Sequence, residues 1–178
     1  MFYKDERAEA FEKLGRFISQ YQQERDDEDL QKLNKFFLEH YRTAIKEANL
    51  FNHWFSEDNL HFALQQWSEA LSRDNLEKWI SMYSDDHWQT DDPKTVAVIM
   101  AGNIPLVGFH DFLSVLMTGN KVLAKPSSDD EKLLPLLVQV LVAIDKRFAD
   151  RIVLADGRIK DFDAVIATGS DNSARYFE

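Results

Sequence analysis

A chain of 178 residues in which 44% are hydrophobic and 12% aromatic, with 13 Phe and 4 Trp, can bury a core without disulfides, which excludes wholesale disorder and low-complexity scaffolding. Its formal net charge of -10 excludes general binding to phosphate backbones and polybasic docking on membranes. With no cysteine, disulfides, thiolate zinc sites, iron–sulfur clusters and a cysteine nucleophile are excluded within these residues.

The start, MFYKDERAEAFEKLG, is charged from Lys4 onward and lacks the apolar core of a secretory signal. Apolar residues then recur at helical spacing, first as Phe11, Leu14, Phe17, Ile18 and Tyr21, then as Leu30, Leu33, Phe37, Tyr41, Ala44 and Ile45, predicting two amphipathic helices. Ser56 precedes a third, with Leu60, Leu64, Trp67 and Leu71 on one face, and Asp74, followed by Glu77, is the predicted cap of a fourth. Residues 1–92 read as an all-helical segment. The stretch SDDHWQTDDPKT reads as a polar linker, and composition changes across it. Most of the negative charge and all four Trp lie before Pro93, whereas all four Pro and every Gly except Gly15 lie after Asp92.

From residue 93 the period shifts. TVAVIM, KVLAK and AVIAT are short β-branched runs, RIVLADG is a further candidate strand, and helix-length patterns occupy Leu106 to Met117 and Leu133 to Phe148. This alternation is the order of a parallel sheet with crossover helices, so the expected fold class is α/β, with residues 93–178 forming the sheet part. The longest apolar stretch, Leu133 to Ile144, is far short of the roughly 20 residues of a membrane helix, and the expected compartment is the cytoplasm.

Chemistry concentrates where strands end. After Met100 a Gly102-Asn103-Ile104-Pro105 loop leads into a helix, and ligands of open α/β sheets collect at such carboxyl ends. A purely structural account also fits: Gly102 serves a turn, Pro105 starts the helix and Asn103 caps it. GNIPL at the first strand end, TGNKVLAKPS at the second and ATGS at a later one resemble the ordered cofactor-binding landmarks of the aldehyde dehydrogenase superfamily. Within it, AGNIPLVGFHDF together with FDAVIATGSDNSARYFE is similar to the acyl-CoA reductase family that supplies fatty aldehyde to bacterial luciferase. The likeness over residues 1–92 is looser and rests on pieces such as NHWFSEDNLHFAL.

By that resemblance, residues 93–178 are the first part of an aldehyde-dehydrogenase-like dinucleotide-binding domain. Asn103 is the loop asparagine whose amide donates to the developing oxyanion, a dipole contribution of a few kcal/mol, typically about 3. The superfamily's usual Pro-Trp before it is Ala101-Gly102 here, and Gly102 falls in the cofactor site. Lys125 matches the lysine that reaches the adenosine ribose. Three positions on, where many members carry an acid, stands Ser128, with Ser127 beside it; hydroxyls there favour NADPH over NADH, unless Asp129, Asp130 or Glu131 turns toward the pocket. Ser128 with Glu131 also fits a capping box, and Pro135 implies either a kink or a later helix start. Thr168, Gly169 and Ser170 match the turn that meets the cofactor pyrophosphate, although a Ser-capped helix without ligand has the same pattern. His110 and Asp111, being adjacent on a helix, point in different directions and are not assigned as an acid/base pair, and no metal-ligand spacing occurs.

The resemblance implies transfer of a fatty acyl group from coenzyme A, or from an acyl-protein thioester, to a cysteine, followed by hydride transfer from NADPH and release of the aldehyde. The missing cysteine marks a departure, and the expectation is an N-terminal portion of a longer reductase, inactive as these residues alone. It further implies a homo-oligomer in the complete protein and an acyl-protein synthetase as a partner, with no nucleic-acid partner. The alternative is a non-catalytic nucleotide-binding or protein-interaction module built on the same fold. A third reading, an acidic helical adaptor, rests on the composition of the first half.

Overall fold

A computed structural model describes residues 2–127, 130 and 132–168. Helix α1, Lys4–Ile18, begins where the Glu6 carboxylate accepts the Tyr3 N–H at 2.9 Å, and it buries Phe11, Leu14, Phe17 and Ile18 along one face. The second helical pattern is one continuous rod of α2 (Gln31–Leu33), a π-helical turn (Asn34–Leu38) and α3 (Glu39–Phe51). The wider π turn lets Leu33 and Leu38, five positions apart, both face the core. Phe37, which regular spacing places on that face, is only half-buried.

Ser56 caps α4 (Glu57–Ala70) as expected, its hydroxyl accepting the Asn59 N–H at 3.3 Å. Helix α5 (Arg73–Ser81) starts two residues early: Ser72 holds the cap position and Asp74 lies in the first turn, where its charge still favours the helix N-terminus. The polar boundary stretch is anchored by Trp88, which is buried, meets Trp79 edge-on at 5.1 Å and donates its indole N–H to the Ile80 carbonyl.

Four parallel strands follow: β1 (Thr95–Ile99), β2 (Lys121–Lys125), β3 (Ile152–Leu154) and β4 (Ala164–Ala167), in the order β3-β2-β1-β4. The RIVLADG stretch does supply a strand, β3. Helices α6 (Phe109–Met117) and α7 (Leu133–Ile144) link β1 to β2 and β2 to β3, giving the α/β class expected. The chain then returns to pair β4 with β1, so the strand order reverses between these two. Lys121 begins β2 because α6 ends in a Schellman turn: Gly119, at φ 82°, and Asn120 donate to the carbonyls of Leu116 and Val115, and the Asn120 side chain accepts the Lys94 N–H.

Two helix boundaries differ from the sequence pattern. Helix α6 starts at Phe109, not Leu106, because Leu106 adopts φ 57° and interrupts helical phasing. Gly108 takes the cap position, where a Cβ would overlap the Met100 side chain. Pro135 is the third residue of α7, where its missing N–H removes no helical bond, so the later start is the correct alternative and the pattern's reach to Phe148 ends in a 3-10 turn after Ile144. Lys132 holds the cap position of α7, so a capping box of Ser128 and Glu131, themselves outside the described residues, is not its start.

The helices up to Trp88 and the sheet share one core. Helix α1 packs on α4, α6 and α7, and the Phe148 ring meets Phe2 and Phe11 edge-on at 4.8 and 5.6 Å. Arg7, 1% exposed, donates to the carbonyls of Phe2, Trp88 and Met117, joining the N-terminus, the boundary turn and the end of α6. Burial pulls its guanidinium down to about 10, with Arg151 nearby adding repulsion.

Candidate active site

The strand order brings the three motif ends together. β1 sits between β2 and β4, and at its end Ile99 is paired with Lys125 on one side and Ala167 on the other. The Met100 N–H donates to the Lys125 carbonyl at 3.1 Å and the Thr168 N–H to the Ile99 carbonyl at 3.0 Å, so the edge stays in register beyond the last strand residues. With neighbouring strands about 4.8 Å apart, the backbones at Lys125 and Thr168 flank β1 at a span of roughly 10 Å. The strand order reverses between β1 and β4 at this carboxyl edge, the position where open α/β sheets bind ligands.

Asn103 lies exposed in the loop between β1 and α6. Since α6 begins at Phe109, Asn103 does not cap it, and among the described residues its side chain has no hydrogen-bond partner. Pro105 is buried in the turn ahead of the helix and does not start it. Of the structural account of this loop, the cap at Asn103 and the helix start at Pro105 therefore fail.

Gly102 is half-buried, and its carbonyl accepts the Asn52 side-chain N–H at 2.6 Å. Lys125 and Ser127 are half-buried at and just beyond the end of β2. Thr168 follows β4 and its hydroxyl donates to the Asp111 carboxylate at 3.1 Å. Ser128, Gly169 and Ser170 lie outside the described residues. His110 is exposed, and its Nδ1 is 3.8 Å from the Asp111 carboxylate, too long for a hydrogen bond.

Asn52 escapes sequence reasoning, as does Asp111 in its role as the partner of Thr168, whereas Asp130 is one of the three acids that the sequence left free to turn toward the pocket. Asn52, 6% exposed, ends α3 and reaches the loop from the helical half. Burial raises the pKa of Asp130 above the ordinary carboxylate value, with the nearby backbone N–H groups of Leu106 and Leu133 pulling the other way. Asp130 lines a small cavity together with Met100, Leu106, Ser127 and Leu134.

Fold and site together define an α/β protein in which three motif ends meet where its strand order reverses. A family model described as Acyl-CoA reductase (LuxC) matches residues 10–177, nearly the whole chain, and the chain belongs to this family. That is a family of reductases acting on acyl thioesters. No match is found among curated proteins or among solved structures.

Proposed function

We propose that this chain forms the N-terminal part of an NADPH-dependent reductase of the aldehyde dehydrogenase superfamily, which converts a fatty acyl thioester to the aldehyde through an acyl-cysteine whose cysteine lies outside these residues. The observation that carries this reading is the convergence of Asn103, Lys125 and Thr168 on one sheet edge, with the Asn103 amide free.

The donor set suits an anionic dinucleotide. Lys125 supplies a cation, and Ser127 and Thr168 supply hydroxyls. In the sequence Ser128 stands where many superfamily members carry an acid, so hydroxyls and the Lys125 cation replace a repelling charge, which supports NADPH over NADH. Ser128, Gly169 and Ser170 complete the proposed cofactor site together with Gly102. Bound NADPH would supply the hydride that reduces the acyl carbon. Asn103 contributes the polar term: attack by a thiolate puts negative charge on the carbonyl oxygen, and a held amide N–H lowers that barrier, by about 3 kcal/mol in comparable sites.

The absence of cysteine from these 178 residues favours one other reading, a non-catalytic nucleotide-binding or protein-interaction module. The complete protein, given fatty acyl-CoA and NADPH, separates the two by whether NADPH is oxidised and aldehyde appears, while residues 1–178 alone are expected to give no turnover. NADPH should also raise the melting temperature of the complete protein more than NADH does, and Lys125→Ala should abolish that shift. An unchanged shift in the variant would refute the assignment of Lys125. The cytoplasm, a homo-oligomer and an acyl-protein synthetase partner belong to the same proposal. Among the described residues no helix is long and apolar enough to cross a membrane.

A further inference from the structure

The loop carrying Asn103 is tied down on both sides of that residue. We infer that Asn52 positions the Asn103 amide, an inference that rests on the role proposed above for Asn103. Between β1 and α6 the chain makes only two turn bonds of its own, Val107 N–H to the Ile104 carbonyl at 3.3 Å and Phe109 N–H to the Leu106 carbonyl at 3.0 Å. Neither includes Asn103, which is exposed together with Ile104 at the tip. An oxyanion donor must be held within about 0.5 Å of its working position, so restraint has to come from elsewhere.

On one side stands Asn52. Its side-chain oxygen accepts the Trp54 N–H at 2.9 Å, and its amide N–H donates to the carbonyl of Gly102, the residue directly before Asn103, at 2.6 Å. These two bonds fix the orientation of the amide: a flipped Asn52 would turn its oxygen toward the Gly102 carbonyl and its N–H toward that of Trp54. The backbone of Asn52 is also held, its N–H donating to Ala48 and its carbonyl accepting from Phe55. Only an amide suits the position, since a carboxylate would face a carbonyl oxygen with no hydrogen between.

On the other side stands Leu106, three residues after Asn103. It is buried with φ 57°, a conformation that a leucine keeps only when its surroundings enforce it. Asn103 therefore sits between two fixed points, Gly102, held by the helical half of the chain through Asn52, and Leu106, held by its burial in the core. Asn52 acts through Asn103 and is a positioning residue.

Two readouts on the complete protein test this. Hydrogen exchange, which needs no activity, should show the backbone amides of residues 102–107 exchanging at least about 10-fold faster in Asn52→Ala and Asn52→Asp than in the parent. Amides of β1 and β2 serve as the folding control and should keep their protection. In turnover, Asn52→Ala should lower kcat by about 10-fold or more and leave KM for NADPH unchanged, and the same substitution made on Asn103→Ala should change kcat by less than about 2-fold, because the group it positions is already gone. Loop exchange equal to the parent's would overturn the inference, as would losses from Asn52→Ala and Asn103→Ala that multiply. A parent protein that never reduces acyl-CoA would refute the reductase reading, while the exchange data would still decide whether Asn52 holds the loop.

Discussion

Leu106 combines two opposing terms that act on different atoms, and two substitutions separate them. Its φ of 57° brings Cβ close to a carbonyl oxygen, at a cost of about 1–2 kcal/mol for an L residue. Its side chain is 3% exposed, and that burial is worth about 2–3 kcal/mol. Leu106→Ala removes the packing and keeps the strained Cβ, so it should destabilise by about 3–4 kcal/mol, the usual transfer and cavity cost of a buried leucine. Leu106→Gly loses the same packing but also removes Cβ. It recovers the strain, less the roughly 0.5–1 kcal/mol that glycine adds in unfolded-chain entropy. The glycine variant should therefore be more stable than the alanine variant by about 0.5–1 kcal/mol, the reverse of their ordinary order. Urea denaturation with matched m-values measures both, and tryptophan fluorescence is a suitable probe because Trp67 contacts Phe109, the first residue of α6, at 4.8 Å. An alanine variant as stable as the glycine variant, or more so, would show that Leu106 carries no left-handed strain.

Arg7→Met should cost about 3–5 kcal/mol, since it strips the donors from three carbonyls that meet at one buried fork, and Arg7→Lys should recover only part of this because an ammonium cannot span them; a denaturation midpoint within about 1 kcal/mol of the parent's would contradict that. Tyr41 is fully buried and donates to the Ile18 carbonyl at 3.0 Å, and burial pushes its pKa well above 10.0. Its folded value exceeds its unfolded one, so its contribution is complete below pH 10.0 and is lost as pH rises past that point, where the unfolded chain has given up the proton and the folded chain has not. Tyr41→Phe should cost about 1 kcal/mol near neutrality and flatten the decline of stability in alkaline solution, and equal slopes for the two proteins would refute the assignment.

What could be read from the chain depended on whether its cause was local. Ser56 was legible because a hydroxyl ahead of an amphipathic run has one common use, and the strands were legible because β-branched runs ended in Gly, Pro, Ser or Thr. The start of α6 was not, since nothing in PLVGFHDF marks Leu106 as left-handed; that conformation accompanies the close approach of Gly108 to Met100 and the burial of the Leu106 side chain. Asp130 stands in a run of acids that sequence cannot tell apart, and Asn52 meets Gly102 across 50 positions. Periodicity carries no information on such pairs. The cap expected at Asp74 missed by two residues: Ser72 takes that position, with no side-chain hydrogen bond to mark it.

The distribution of charge completes the argument for the proposed site. A protein of net charge -10 repels an anionic cofactor and an anionic thioester at long range, but exposed charges beyond a Debye length of about 8 Å are largely screened at physiological ionic strength. What matters is the charge at the sheet edge, and most of the excess acid lies in the helical half. Of the acids described at the edge, Asp130 has its pKa raised by burial and Asp111 accepts from Thr168, while Lys125 ends the strand beside β1. The helical half is therefore no acidic adaptor appended to the sheet. It shares the sheet's core, and through Asn52 it holds the loop on which the proposed chemistry depends.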